Sequence, residues 1–509
     1  MLRTVIAVVV LACGVAQCQQ RLMAQQPPAD SAFAILAAVE EATVSAVESA
    51  ARSVVAIARV RRDRAPTAQV DSLRLGERFP FQEAPDSPDF VPSFFGSGVV
   101  VSEDGFIVTC AHVLEDPREN EYFVWLDKES YSARVVGRPA QAMASDPFSD
   151  LAVLKIDAES LRPARFSQLP LRRGQFVIAL GNPQAIARDG QASASWGIVS
   201  NLKRVAPGEQ GREELGKETI HHYGTLIQTD AKLNFGMSGG ALVNLKGEVV
   251  GLTTALAANS GYERAAGFAI ATDAMFLRVL EALKQGKLPE YGFLGIQPED
   301  LRSAEKARGL RGARVSVVIP GLPGEAAGLR TDDVIFQVDQ QPIRDRNDLF
   351  RELSLRGAGE EVMLFVQRGR AGRAAPEVLR LPASMSKKYV STLRPGFALH
   401  SPTKWRGMLV EYATAVLSEL TRGGVLSGRR DIPQLAVLSV DPDTPAWQAG
   451  LRPGYGLLAI DGRPVHSPEE FYQRVAERSD SVSLTIVHSG RRPESLLVKA
   501  PEADGPPGN

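Results

Sequence analysis

The chain has 509 residues, a formal net charge of −1, 44% hydrophobic residues and 23% charged residues. That length suggests about three domains, and the apolar fraction fits globular, β-rich domains. The near-neutral balance gives no electrostatic case for a nucleic-acid partner; the basic spots Arg61-Arg62 and Arg429-Arg430 are interrupted or followed by acids and read as solvated loops.

The chain opens with Met1-Leu2-Arg3-Thr4 and the apolar run Val5 to Ala12. This run falls far short of the roughly 20 residues that span a membrane. It reads as an export signal over residues 1–24, so a periplasmic or secreted location is expected. Two endings stay open. Val10-Leu11-Ala12-Cys13 resembles a lipoprotein box, which would lipidate Cys13, whereas Gly14-Val15-Ala16 supplies small residues for ordinary cleavage. No later stretch is apolar enough to span a bilayer. The cysteines are Cys13, Cys18 and Cys110, so no disulfide framework is expected, and Cys110 reads as a small buried strand residue.

Alanine-rich spacing over 31–50 predicts an amphipathic helix, and Ser53 to Ala58 a first strand. Residues 61–94 are rich in Pro, Asp, Arg and Gln. From Gly96 to about Lys284, short apolar strands alternate with Gly, Asn and Asp turns, which predicts an all-β barrel or sandwich. A helix over Asp273–Lys287 closes this region.

Three segments of this β region carry chemistry. In the first, a strand from Gly96, the turn Glu103-Asp104-Gly105 and a second strand end at His112. In the second, Asp146-Pro147-Phe148-Ser149-Asp150 leads into the buried-looking strand Leu151–Ile156. In the third, Asn234-Phe235-Gly236-Met237-Ser238-Gly239-Gly240 sets one serine among glycines that permit a sharp turn. A serine becomes a nucleophile only when a base takes its proton. The order His, Asp, Ser is that of the chymotrypsin-type double barrel rather than of subtilisin or the α/β-hydrolases. Asp146 competes with Asp150 for the acid's role. His221 and His222 lack further ligands at metal spacing and read as a solvated loop. No phosphate-cradling Gly-rich loop with Lys-Ser/Thr is present, and no cofactor or metal is expected.

On these motifs the chain resembles the HtrA (DegP/Deg) family of trypsin-like serine proteases with PDZ domains. The resemblance implies a mainly β fold: a chymotrypsin-like double-barrel protease domain over 31–288, followed by PDZ domains. It makes His112 the base, Asp150 the orienting acid and Ser238 the nucleophile. Backbone N–H groups of Gly236 and Ser238, helped by Met237, would form the oxyanion hole. Phe235 and Met237 depart from the family's usual Pro and Asn at these positions. Asp230 is expected to be structural. The strand Gly267–Ile270 is expected to line a pocket for small or medium apolar side chains. The family places a mobile regulatory loop where 61–94 falls; a plain insertion is the other reading.

The segment Pro323-Gly324-Glu325-Ala326-Ala327-Gly328-Leu329-Arg330 recurs as Pro445-Ala446-Trp447-Gln448-Ala449-Gly450-Leu451-Arg452, each copy followed by a strand and a helical run. Two tandem PDZ domains over 291–384 and 404–500 are expected, with a disordered tail at 501–509. Such domains add a peptide strand to a sheet edge and seat its carboxylate on backbone amides. Phe293-Leu294-Gly295-Ile296 matches the carboxylate loop, with Leu294 and Ile296 lining the pocket. Gly407 marks the second domain's loop, which lacks a later glycine, and a spacer role is open there. Asp332 stands where the family has a glycine.

The expected function is ATP-independent cleavage of misfolded or unfolded proteins in the envelope, with PDZ domains binding peptide C-termini. The expected partners are those polypeptides, with a homo-oligomer, trimer-based by resemblance. The alternative is a chaperone or PDZ scaffold on a protease fold with little catalysis.

Overall fold

The computed structural model describes residues 29–62, 94–126, 138–182, 191–205, 219–254, 266–369, 376–389, 396–400, 404–416, 433–476, 478–488 and 492–500. The export signal with Cys13, most of the 61–94 loop and the 501–509 tail lie outside them.

The first barrel follows helix α1 (Ala29–Ala51) and comprises β1 (Val54–Arg61), β2 (Phe94–Val100), β3 (Phe106–Cys110), β4 (Asn120–Trp125), β5 (Arg138–Asp146) and β6 (Leu151–Ile156), with the short helix α2 (Ala111–Leu114) between β3 and β4. The strands run β5-β4-β1-β2-β3-β6, and β5 pairs back with β6 to close the sheet. Leu151 to Leu154 are all buried. That is why this run reads as continuously apolar rather than alternating. Pairing between β5 and β6 shifts register at Ala142/Ala144, a bulge that bends the hairpin at the barrel corner.

The second barrel comprises β7 (Phe176–Gly181), β8 (Ser193–Arg204), β9 (Leu226–Thr229), β10 (Ala241–Val243), β11 (Val249–Thr254) and β12 (Gly267–Ala271). Its closed order is β10-β11-β12-β9-β8-β7, which leaves no unpaired edge. Helix α3 (Ala274–Lys284) is capped by Asp273, whose side chain accepts the N–H groups of Met275 and Phe276. Its buried face includes Phe276, Val279 and Leu283 and lies against β5 and β6 of the first barrel.

The internal repeat folds twice. In the first copy the sheet runs Ile296–Asp300, Ala313–Val318, Val334–Val338, Glu361–Arg368, Glu377–Ser384, and the second copy repeats that order from Met408–Tyr412 to Glu494–Val498. The repeated Pro starts a single helical turn in each copy, Pro323–Ala326 and Pro445–Gln448. A longer helix follows in each, Arg346–Ser354 capped by Asp345 and Pro468–Val475 capped by Ser467. Asp332 has φ +67, a conformation that favours glycine and that Asp tolerates. Arg314 fixes it at 3.1 Å.

Past the first copy, Phe397–Ala398 returns to the protease region and pairs with Ser145 and Ala144 on β5.

Candidate active site

His112 follows directly on β3, in the first turn of α2, with its side chain 34% exposed. Asp150 ends the buried turn between β5 and β6. Its Oδ1 and Oδ2 lie 3.0 and 2.9 Å from His112 Nδ1, and Oδ1 also accepts the His112 backbone N–H at 3.0 Å. The carboxylate only accepts, so Nδ1 carries the proton and Nε2 is left as the basic nitrogen. Burial alone would raise the Asp150 carboxyl, but the His112 charge and its hydrogen bond outweigh burial and hold it below the usual value.

Ser238 lies in the turn before β10. Its carbonyl accepts the Ser97 N–H of β2 at 2.8 Å, a bond from one barrel to the other. Gly96, next to Ser97, shows how tight this seam is. A Cβ there would stand 2.6 Å from Val113 Cγ1, beside His112, and 3.3 Å from the Ser238 carbonyl. Gly239 has φ +84, and an added Cβ would meet the Ser97 carbonyl at 2.2 Å. The glycine is therefore required by both backbone and space.

Gly236 has φ +97, its carbonyl accepts from Ser97 Oγ at 2.8 Å, and its N–H donates to no acceptor among the described residues. The expectation for Met237 is corrected: its N–H donates to the Asn234 carbonyl at 3.1 Å and is committed to the turn. The physical reason is its side chain, which is buried with Val177, Ala179 and Leu242 in the second-barrel core and turns the amide away. Phe235 is 71% exposed and meets Phe95 edge-on at 5.1 Å.

Asp146 does not compete for His112; its carboxylate faces Ser149 and Tyr291. Asp230 accepts the Ile198 N–H at 2.7 Å and supports β8. Cys110 is buried, with its thiol on the Thr253 carbonyl and pushed well up by burial. His221 is a correction: it is fully buried, bonded to Thr225 and to the Ser149 carbonyl, and no part of a solvated loop. Thr254 Oγ1 reaches Asp150 Oδ2 at 3.3 Å. Sequence reasoning did not single it out, since a threonine ending an apolar strand carries no distinguishing pattern. The potential ligand atoms of Cys110, His112 and Asp150 lie within 4.8 Å of one another, but Nδ1 and both carboxylate oxygens already bond each other.

In the first PDZ-like domain, Gly295 has φ +74 and packs under Leu322, while Leu294 O accepts the Gly324 N–H at 2.6 Å. Leu294 and Ile296 are buried and share one core cluster with Val315 and Leu329. Phe293 stays half-buried and pairs with Ser386.

The trypsin-like peptidase domain family matches residues 96–252, and PDZ domain families match residues 292–375 and 437–487. Together with the two closed barrels, these matches define a trypsin-like serine endopeptidase carrying two PDZ domains. The chain is 32% identical over 427 residues to a probable periplasmic serine endoprotease DegP-like of Chlamydia trachomatis, covering 83% of this chain and 77% of the relative. It is 29% identical over 411 residues to the periplasmic serine endoprotease DegP of Salmonella typhimurium, covering 79% and 76%. A solved HtrA-type protease, AlgW with tripeptide, aligns at TM-score 0.49 and 26% identity, over 68% of this chain and 97% of that chain. The chain belongs to the DegP/HtrA family of serine endoproteases.

Proposed function

We propose that this endoprotease cuts unfolded or misfolded polypeptides in the envelope, with His112 as general base, Asp150 as its orienting acid and Ser238 as nucleophile. The observation that carries this reading is the buried Asp150 carboxylate set against His112 Nδ1 through both oxygens. Ser238 Oγ attacks the scissile carbonyl as its proton passes to His112 Nε2. The oxyanion is stabilised by the N–H groups of Gly236 and Ser238. His112 then protonates the leaving amine, and water repeats the sequence on the acyl-enzyme. No nucleotide enters these steps.

In the same reading, export precedes function, with Cys13 a lipid anchor if the signal ends before it. The PDZ domains deliver substrates, and the Phe293–Ile296 loop of the first receives a free C-terminal carboxylate. Self-association into oligomers is supported by α1, which exposes Phe33 at 72%, Ile35 at 61% and Leu36 at 63%.

The test is degradation of casein by the purified chain beside Ser238→Ala. Cleavage by the wild type alone supports the assignment. Equal and negligible cleavage by both would favour a binding or chaperone scaffold instead.

A further inference from the structure

Asp150 holds its carboxylate on unusual backbone. Its φ is +53, a left-handed conformation that residues with a Cβ disfavour, so the surrounding structure must impose it. The turn that does so is buried, and its contacts reach beyond the two barrels.

Asp146 is the hub. Its Oδ1 accepts the Phe148 N–H at 3.3 Å. Its Oδ2 accepts the Ser149 N–H at 3.1 Å, the Ser149 hydroxyl at 2.6 Å and the Tyr291 phenol at 2.5 Å. No ion pair to Asp146 exists among the described residues, so hydrogen bonds alone satisfy a buried acid. On the other flank, His221 Nε2 lies 2.8 Å from the Ser149 carbonyl and must carry the proton, because a carbonyl only accepts. His221 Nδ1 then accepts from Thr225 Oγ1 at 2.6 Å. The Ile220 N–H adds a bond to the Phe148 carbonyl at 2.8 Å. Both residues before Asp150 are thus held from two sides.

Tyr291 comes from the threshold of the first PDZ domain. It is buried, its ring meets Phe148 edge-on with centroids 4.7 Å apart, and Arg278 lies over it at 5.5 Å. The titratable groups facing Asp150 are His112, His221 and Cys110. Arg278 and Lys388 face the cluster only through Tyr291 and Phe148.

We propose that Asp146, His221 and Tyr291 are positioning residues for proteolysis: they clamp the turn so that the Asp150 carboxylate stays square to the His112 imidazole. This rests on the triad reading above. Each acts through Asp150 and none needs to touch substrate. The clamp includes a hydroxyl from outside the protease barrels, so those barrels alone do not complete it.

The test uses the full chain, an internally quenched peptide and the variants Tyr291→Phe, His221→Ala and His221→Gln, with Ser238→Ala alongside. A thermal melt first establishes that each is folded. Removing one buried hydrogen bond of the clamp, from the Tyr291 hydroxyl to Asp146 or from His221 to the Ser149 carbonyl, should lower kcat about tenfold in Tyr291→Phe and His221→Ala, with KM held within about twofold. A looser carboxylate supports the His112 imidazolium less, so the acid limb of the kcat/KM profile should move to lower pH. A purely structural role would not move it. Gln restores a donor toward Ser149, so His221→Gln should recover most of the kcat lost in His221→Ala. If the folded variants keep wild-type kcat and pH profile, or change KM alone, while Ser238→Ala is inactive, the clamp is refuted and the triad stands. If Ser238→Ala retains full activity, the triad reading beneath it falls. If Tyr291→Phe does not fold, the two His221 variants decide by the same criteria.

Discussion

Gly236 is where a single atom decides the chemistry. With φ +97, an added Cβ would stand 2.6 Å from both the Asn182 carbonyl and the Phe95 ring. Any side chain must push this peptide aside, and its N–H with it. Gly236→Ala is expected to lower kcat by about 100-fold, the scale of one lost oxyanion donor. Peptide turnover measures this, and an unchanged kcat would show that the Gly236 N–H is not used. The sequence marked Ser238, His112 and Asp150 through their flanking glycines and strands. It did not disclose that Met237 would enter the second-barrel core and withdraw its own N–H. That outcome depends on what fills the space beneath the turn, and residues distant in sequence decide it. His221 was missed for a related reason. An adjacent histidine pair looks the same whether it is solvated or buried, and only the neighbouring Ser149 carbonyl distinguishes the two.

Among elements, the two PDZ domains differ at one equivalent edge. Each carboxylate-loop glycine, Gly295 or Gly407, accepts a similar backbone bond, from Ile319 at 2.9 Å and from Asp441 at 2.8 Å. Each following strand shifts register at the same place, before Pro298 and before Val410. In the second domain, the Val410 N–H donates to the Tyr472 hydroxyl at 2.9 Å, which in turn donates to the Val410 carbonyl at 3.4 Å. A helix of the same domain thus caps the strand edge that a ligand strand would use. Pro298 holds the matching position in the first domain and has no N–H to offer. Peptides with a free C-terminus are therefore expected to bind the first domain alone, anchored mainly by their carboxylate. Amidating the peptide should weaken binding about tenfold or more, the loss of at least one charge-assisted bond. Calorimetry should give one site per wild-type chain and two for Tyr472→Ala. One site in both would sink the capping argument. Repeat copies and strand–turn–helix order were legible in the sequence. The cap was not, because it depends on how the Tyr472 helix lies across its sheet.

Across the whole molecule, the first PDZ domain sits against the protease through named contacts. Phe350 meets Tyr223 with ring centroids 4.1 Å apart, and Arg351 donates to the Tyr223 carbonyl at 2.5 Å. Lys388 brings its ammonium 4.4 Å from the Phe148 ring, 5.3 Å from Tyr223 and 5.7 Å from Phe350. Burial there pushes its pKa down to about 8. An unfolded lysine titrates near about 10.4, so between these values the unfolded chain binds the extra proton and stability rises with pH. Denaturant midpoints of wild type and Lys388→Met are expected to converge as pH rises through this window, the variant being the more stable below it. Parallel curves would exclude a perturbed Lys388. The three-domain order was readable from length, repeat and motif. The joint was not, since Tyr291, Phe350 and Lys388 are scattered singly along the chain. The two residues Phe397 and Ala398 add a strand to β5 on the way out of the first PDZ domain. Leu399 continues that hold with an N–H bond of 2.8 Å to the Met143 carbonyl. Tension on the second PDZ domain therefore reaches the hairpin that presents Asp150 along the chain, while Glu411 and Thr414 of that domain also hold Lys387, beside the first PDZ domain. In mechanical terms the second PDZ domain has two anchors, one on the catalytic barrel and one on the strand Ser386–Lys387 that pairs with the first PDZ domain.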